Sequence, residues 1–114
     1  MTTIKNTKKS SIILATEVLK EGNLVSFPTE TVYGLGGDAT NNLAIAKIFE
    51  TKNRPEFNPL IIHFSSFDQV EENCEINDDI KKLNDLFWPG PMTVILKKKK
   101  ESKISELASA SLDT

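Results

Sequence analysis

At 114 residues and 39% hydrophobic composition, the chain suits one globular domain that buries roughly two thirds of its unfolded surface, with no room for a second. Lys and Arg total 14 against 16 Asp and Glu, a net charge of −2, which excludes nucleic-acid binding through global basic charge and makes any polyanion site local. Cys74, the single cysteine, excludes an intrachain disulfide and a cysteine-based zinc site; residues 12–15 form too short an apolar stretch for a signal peptide or membrane span, so a soluble protein of the reducing cytoplasm is expected.

Residues 1–9 are polar and are expected to be disordered. A first helix is expected from an N-cap at Ser10 or Ser11, with Ile12, Ile13, Ala15, Val18 and Leu19 at helical spacing and Gly22 as its stop. The apolar run 24–27, broken by Pro28, reads as a buried strand whose tip delivers Thr29, Glu30 and Thr31 into a loop. Gly34, Gly36 and Gly37 fall in that loop; they match neither the dinucleotide fingerprint nor the P-loop, and serve either tight turns and close packing or a phosphate cradle.

A second helix is capped by Asn41 or Asn42, runs to about Thr51 with Leu43, Ala46, Ile48 and Phe49 on one side, and ends at a left-handed Asn53. Lys52 and Arg54 therefore flank a helix end. There they either complement the helix dipole or, in a turn stiffened by Pro55 and Pro59, hold an anion, with arginine as a planar fork and lysine as a compact charge. Residues 60–64 read as a second strand with His63 near its end, sharing a face with Ile61 and Ser65. The histidine is as compatible with a rim residue as with a ligand.

A short helix follows a cap at Ser65 or Ser66, and a longer one with Ile80, Leu83, Leu86 and Phe87 follows Asn77 or Asp78, stopped by Pro89, Gly90 and Pro91. Phe87 and Trp88 form either a hydrophobic plug or a stacking platform. Residues 92–96 are a third expected strand, the lysines 97–100 its solvated exit or an RNA patch, and 102–109 a last helix. The alternation gives an α/β sheet. Three strands are thin for four helices, and Leu112, Asp113 and Thr114 read as the approach to another strand, so the chain is expected to be incomplete.

Three segments, FPTETVYGLG at 27–36, KNRPEFNPLIIH at 52–63 and FWPGPMTVIL at 87–96, closely resemble the YrdC-like family of threonylcarbamoyl-AMP synthases. The resemblance makes residues 1–114 the N-terminal portion of one YrdC-like domain, a twisted, mixed α/β sheet with flanking helices around a positive cavity. It implies synthesis of threonylcarbamoyl-AMP and pyrophosphate from L-threonine, bicarbonate and ATP, with Mg²⁺, for transfer by downstream proteins to tRNA adenosine. It assigns Thr31 and His63 to L-threonine, and Lys52, Arg54, Asn58 and Thr114 to ATP, with Lys52 and Arg54 also catalytic and no metal ligands. The other readings are a non-catalytic module binding tRNA or double-stranded RNA, an enzyme acting on carbamoyl phosphate, and an inactive truncated product.

Overall fold

A computed structural model describes residues 2–114; Met1, part of the stretch expected to be disordered, lies outside the described residues. The chain divides into two compact units, Met1–Arg54 and Pro55–Thr114. It is α/β, with helices α1 (Lys9–Lys20), α2 (Asn42–Lys52), α3 (Phe67–Asn73) and α4 (Asp78–Phe87) and strands β1 (Val25–Pro28) and β2 (Tyr33–Gly36). None of the described helices is long and apolar enough to cross a membrane.

In the first unit, α1 begins slightly ahead of the expected serines, because Asn6 Oδ1 accepts from the Lys8 N–H at 3.3 Å and the Ser11 hydroxyl at 3.2 Å. It stops as expected. Gly22 takes φ +76°, its N–H donates to Leu19 O, and the Asn23 N–H donates to Val18 O, the paired bonds of a Schellman motif. Lys47 Nζ then ties α2 to this stop through Gly22 O at 2.8 Å and Asn23 Oδ1 at 3.1 Å.

The segment expected to be a glycine loop is instead β2, antiparallel to β1 with Phe27 opposite Gly34 and Val25 opposite Gly36. The glycines are required by packing. A Cβ on Gly36 would lie 2.7 Å from Phe27 Cε1, and one on Gly34 would lie 3.4 Å from Phe27 Cε2, so the ring lies across both. On Gly37 it would meet Leu24 Cδ2 at 2.9 Å and Ala44 and Ile48 at 3.4 Å, which lets α2 close on the hairpin. The core of this unit is Ala44, Ile45, Ile48 and Phe49. Leu43, expected on the buried face, is 75% exposed, because the face against Gly37 is that of Ala44 and Ile48.

In the second unit, α3 and α4 begin at the expected caps: the Ser66 hydroxyl accepts from the Gln69 N–H and Asn77 Oδ1 from the Ile80 N–H. Val70 and Ala108 are its buried apolar residues. Asn73 holds its buried polar centre. Its Nδ2 donates to Gln69 O at 2.8 Å, while its Oδ1 accepts from the Ser102 hydroxyl at 3.0 Å and the Lys103 N–H at 2.9 Å.

Two expected strands do not form. Residues 60–64 and 92–96 keep the alternation of half-buried and exposed positions that a strand would show, yet neither belongs to a ladder. A strand needs a partner over several residues. Instead the Leu60 N–H bonds singly to Ala108 O at 2.8 Å, and Met92 O is taken at 2.7 Å by the Trp88 indole N–H. The sheet among the described residues is the two-stranded hairpin.

The expected last helix over 102–109 is replaced by turns, because its serines compete for the backbone. The Ser102 hydroxyl accepts from the Ile104 N–H, the Ser105 hydroxyl accepts from the Leu107 N–H, and the Ser109 hydroxyl donates to Glu106 O. The lysine run is a solvated exit only at Lys97 and Lys100, which are exposed. Lys98 forms an antiparallel bridge with Cys74, its ammonium donates to the Ser109 hydroxyl at 2.8 Å, and Lys99 Nζ donates to Glu71 O at 2.5 Å.

Candidate functional site

The residues singled out by the sequence fall in both units. Thr31, Lys52 and Arg54 belong to the first; Asn58, His63 and Thr114 belong to the second.

Thr31 sits in the four-residue turn between β1 and β2, whose last paired residues are Pro28 and Tyr33. Its side chain is exposed. The turn is closed by Thr29, whose hydroxyl donates to Val32 O and accepts from the Thr31 N–H at 3.3 Å. Proline at the end of β1 gives the strand a fixed φ there and leaves no N–H to pair, so the chain leaves the ladder where the threonines begin.

Lys52 is the last residue of α2 and is exposed, while Arg54 is half-buried two residues on. Between them Asn53 adopts φ 48°, ψ 43°, as expected; its N–H donates to Glu50 O at 3.1 Å and the Arg54 N–H donates to Phe49 O at 3.0 Å. This second Schellman motif reverses the chain after Lys52. It satisfies two open carbonyls of α2 with backbone donors, so these helix-end bonds are made without either cationic side chain. Lys52 also lies in the last turn, where a cation complements the helix dipole.

Asn58 is exposed in a turn closed by its own N–H donating to Pro55 O at 3.2 Å. His63 is exposed and, as the sequence pattern required, shares that exposure with Ile61 and Ser65 while Leu60, Ile62 and Phe64 are half-buried. It stands in an irregular segment rather than at a strand end. Thr114 is exposed, beside an Asp113 whose carbonyl accepts from the Lys98 N–H at 2.6 Å.

Three side chains make contacts that shape these segments and that were not foreseen from the sequence. Thr29 organises the turn of Thr31, Phe27 covers the glycines of β2, and Trp88 bonds back to Met92. A hairpin signal was present for the first two: an apolar run ended by Pro28, a four-residue break and a second run of aromatic and small residues. Gly90 at the Trp88 turn is likewise fixed, since a Cβ there would lie 2.3 Å from Phe87 O.

Residues 17–114 match the profile of the Sua5/YciO/YrdC family, which is described as telomere recombination. The chain belongs to this family. It is 46% identical over 104 residues to the threonylcarbamoyl-AMP synthase of Pyrococcus abyssi, an alignment that covers 90% of this chain and 30% of that protein. It is 42% identical over 110 residues to the threonylcarbamoyl-AMP synthase of Bacillus subtilis, covering 96% of this chain and 32% of the relative. The crystal structure of P. abyssi Sua5 complexed with L-threonine superposes with a TM-score of 0.87 at 43% identity, over 96% of this chain and 32% of the other. The chain thus spans about a third of the length of these relatives.

Proposed function

We propose that this chain serves L-threonylcarbamoyladenylate synthesis, a nucleotidyl transfer that joins L-threonine, bicarbonate and ATP into threonylcarbamoyl-AMP with release of pyrophosphate. The observation that carries this reading is its likeness over 96% of its length to a Sua5 structure complexed with L-threonine, at 43% identity. In this reading Thr31 and His63 bind L-threonine, and Lys52, Arg54, Asn58 and Thr114 bind ATP.

The chemistry suits these residue types. The threonine amine attacks a one-carbon electrophile derived from bicarbonate; the resulting carbamate oxygen attacks the α-phosphorus of ATP, and pyrophosphate leaves. Carbamate and triphosphate repel each other, so fixed cations that neutralise both lower the barrier, and no covalent protein nucleophile is needed. Arg54, with its backbone N–H bonded to Phe49 O and its side chain half-buried, starts from a more ordered position than exposed Lys52. We assign Arg54 to oriented contact with phosphate oxygens and Lys52 to charge neutralisation as the leaving group develops. His63 would hold the substrate carboxylate or take the amine proton.

Among the described residues no group of three or more His, Cys, Asp or Glu is gathered as a metal site. In this scheme Mg²⁺ would enter with the ATP substrate as its phosphate complex. The adenylate is a reactive mixed anhydride that would pass to cytoplasmic proteins acting on tRNA. Direct RNA binding through the lysine run is less favoured, because Lys98 and Lys99 are bonded within the second unit.

The test is pyrophosphate release that requires both L-threonine and bicarbonate. Arg54→Ala should lower its rate by roughly 10²–10³-fold, the scale of removing one oriented donor from developing charge. Unchanged turnover in that variant would remove Arg54 from the mechanism.

A further inference from the structure

The turn between β1 and β2 holds two threonines whose hydroxyls do different work. Thr29 Oγ1 is committed in both directions, donating to Val32 O and accepting from the Thr31 N–H at 3.3 Å. The Thr31 hydroxyl bonds to no protein group among the described residues, and its residue is exposed. A hydroxyl whose proton closes its own turn cannot donate to a ligand without opening that turn. An uncommitted one on the same frame can both donate and accept.

The turn is tied to the hairpin on both sides. Pro28 and Tyr33 close the ladder on one side, and the Phe27 ring covers Gly34 and Gly36 on the other. The Thr29 methyl also touches this surface, since a Cβ on Gly34 would lie 3.4 Å from Thr29 Cγ2. Thr29 thus joins the turn to the hairpin by its methyl and to Thr31 by its oxygen.

We propose that Thr29 is the positioning residue of the amino-acid loop: its hydroxyl fixes the Thr31 backbone in advance, so that the free Thr31 hydroxyl is presented to L-threonine. The proposal rests on the reading above that Thr31 binds L-threonine. Without the latch, residues 30–32 must be ordered at the moment of binding. That ordering costs conformational entropy, which preorganisation removes from the binding step.

The test uses the chain as it stands, with calorimetric titration of L-threonine and, separately, of ATP. Thr29→Val keeps the side-chain shape and deletes the hydroxyl; it should weaken L-threonine binding about tenfold and leave ATP affinity unchanged. Thr29→Ser keeps the hydroxyl and should bind L-threonine within about twofold of the parent. By NMR, exchange of the Thr31 amide should speed up in Thr29→Val and not in Thr29→Ser, a readout that a general loss of stability would spread over the whole hairpin. Thr29→Ala serves as a second deletion should valine disturb the turn.

Parental L-threonine affinity in both Thr29→Val and Thr29→Ala would overturn the positioning role alone. Equal losses of L-threonine and ATP affinity would assign Thr29 to folding and also overturn it. Failure of the parent chain to bind L-threonine would overturn the functional reading, and this proposal with it.

Discussion

Individual side chains in this protein are governed by contacts a few tenths of an ångström from collision. Gly36 and Gly34 face the same Phe27 ring, but a Cβ would lie 2.7 Å from it at the first position and 3.4 Å at the second. Gly36→Ala should therefore cost about 1–3 kcal/mol by displacing the ring, and Gly34→Ala clearly less, as read from urea midpoints. Equal midpoints would show that the ring does not lie across Gly36. Cys74 obeys a different balance. Burial pushes its thiol above the ordinary range and outweighs the opposing pull of Lys99 and Lys98. The unfolded chain ionises this thiol first, so its contribution to stability is full below the ordinary thiol value of about 8.5 and falls as pH rises through and above it. At pH 8, iodoacetamide should alkylate Cys74 more slowly in the folded chain than in urea, because the thiolate is the nucleophile.

At the scale of elements, helix ends were the most legible feature. Asn41, Ser66 and Asn77 each accept a backbone N–H at the start of a helix, and Gly22 and Asn53 each take a left-handed conformation at the end of one. These are local interactions, fixed within four residues, so sequence spacing suffices to find them. The turns at 106–111 are the opposite case. Ala110 and Ser111, just past the residues expected to be helix, adopt φ 53° and 59°, conformations that side chains disfavour. Ala110→Gly should stabilise the chain by about 1 kcal/mol, since glycine takes this conformation without the Cβ penalty. A lowered urea midpoint would show that the Ala110 methyl contributes more by packing than it costs in strain.

For the whole molecule, local chemistry and tertiary context divide the outcome. The hairpin was hidden because Gly34 and Gly36 lower strand propensity on their own and become strand residues only once Phe27 needs a flat surface to cover. The reverse error arose at 60–64 and 92–96, where branched and aromatic residues and a period of two describe a strand that no neighbouring ladder completes. The proposed site draws on residue types marked in the sequence: two cations around Asn53, a histidine on the exposed side of its segment, and a threonine loop after Pro28. Their assignment to ATP and L-threonine came from the resemblance of the three motifs, since spacing alone left each residue with a structural alternative. The caps of α2, α3 and α4 and the left-handed stops follow from sequence alone, set by contacts between near neighbours in the chain. Tertiary structure decided which glycines are packing surfaces, that Asn73 bonds to Ser102 and Lys103 in the unit that buries the apolar Val70 and Ala108, and that Lys98 and Lys99 bond within the second unit. Each of the last two joins residues at least eleven positions apart, at separations where propensity and spacing carry no information and only the folded geometry selects the partner.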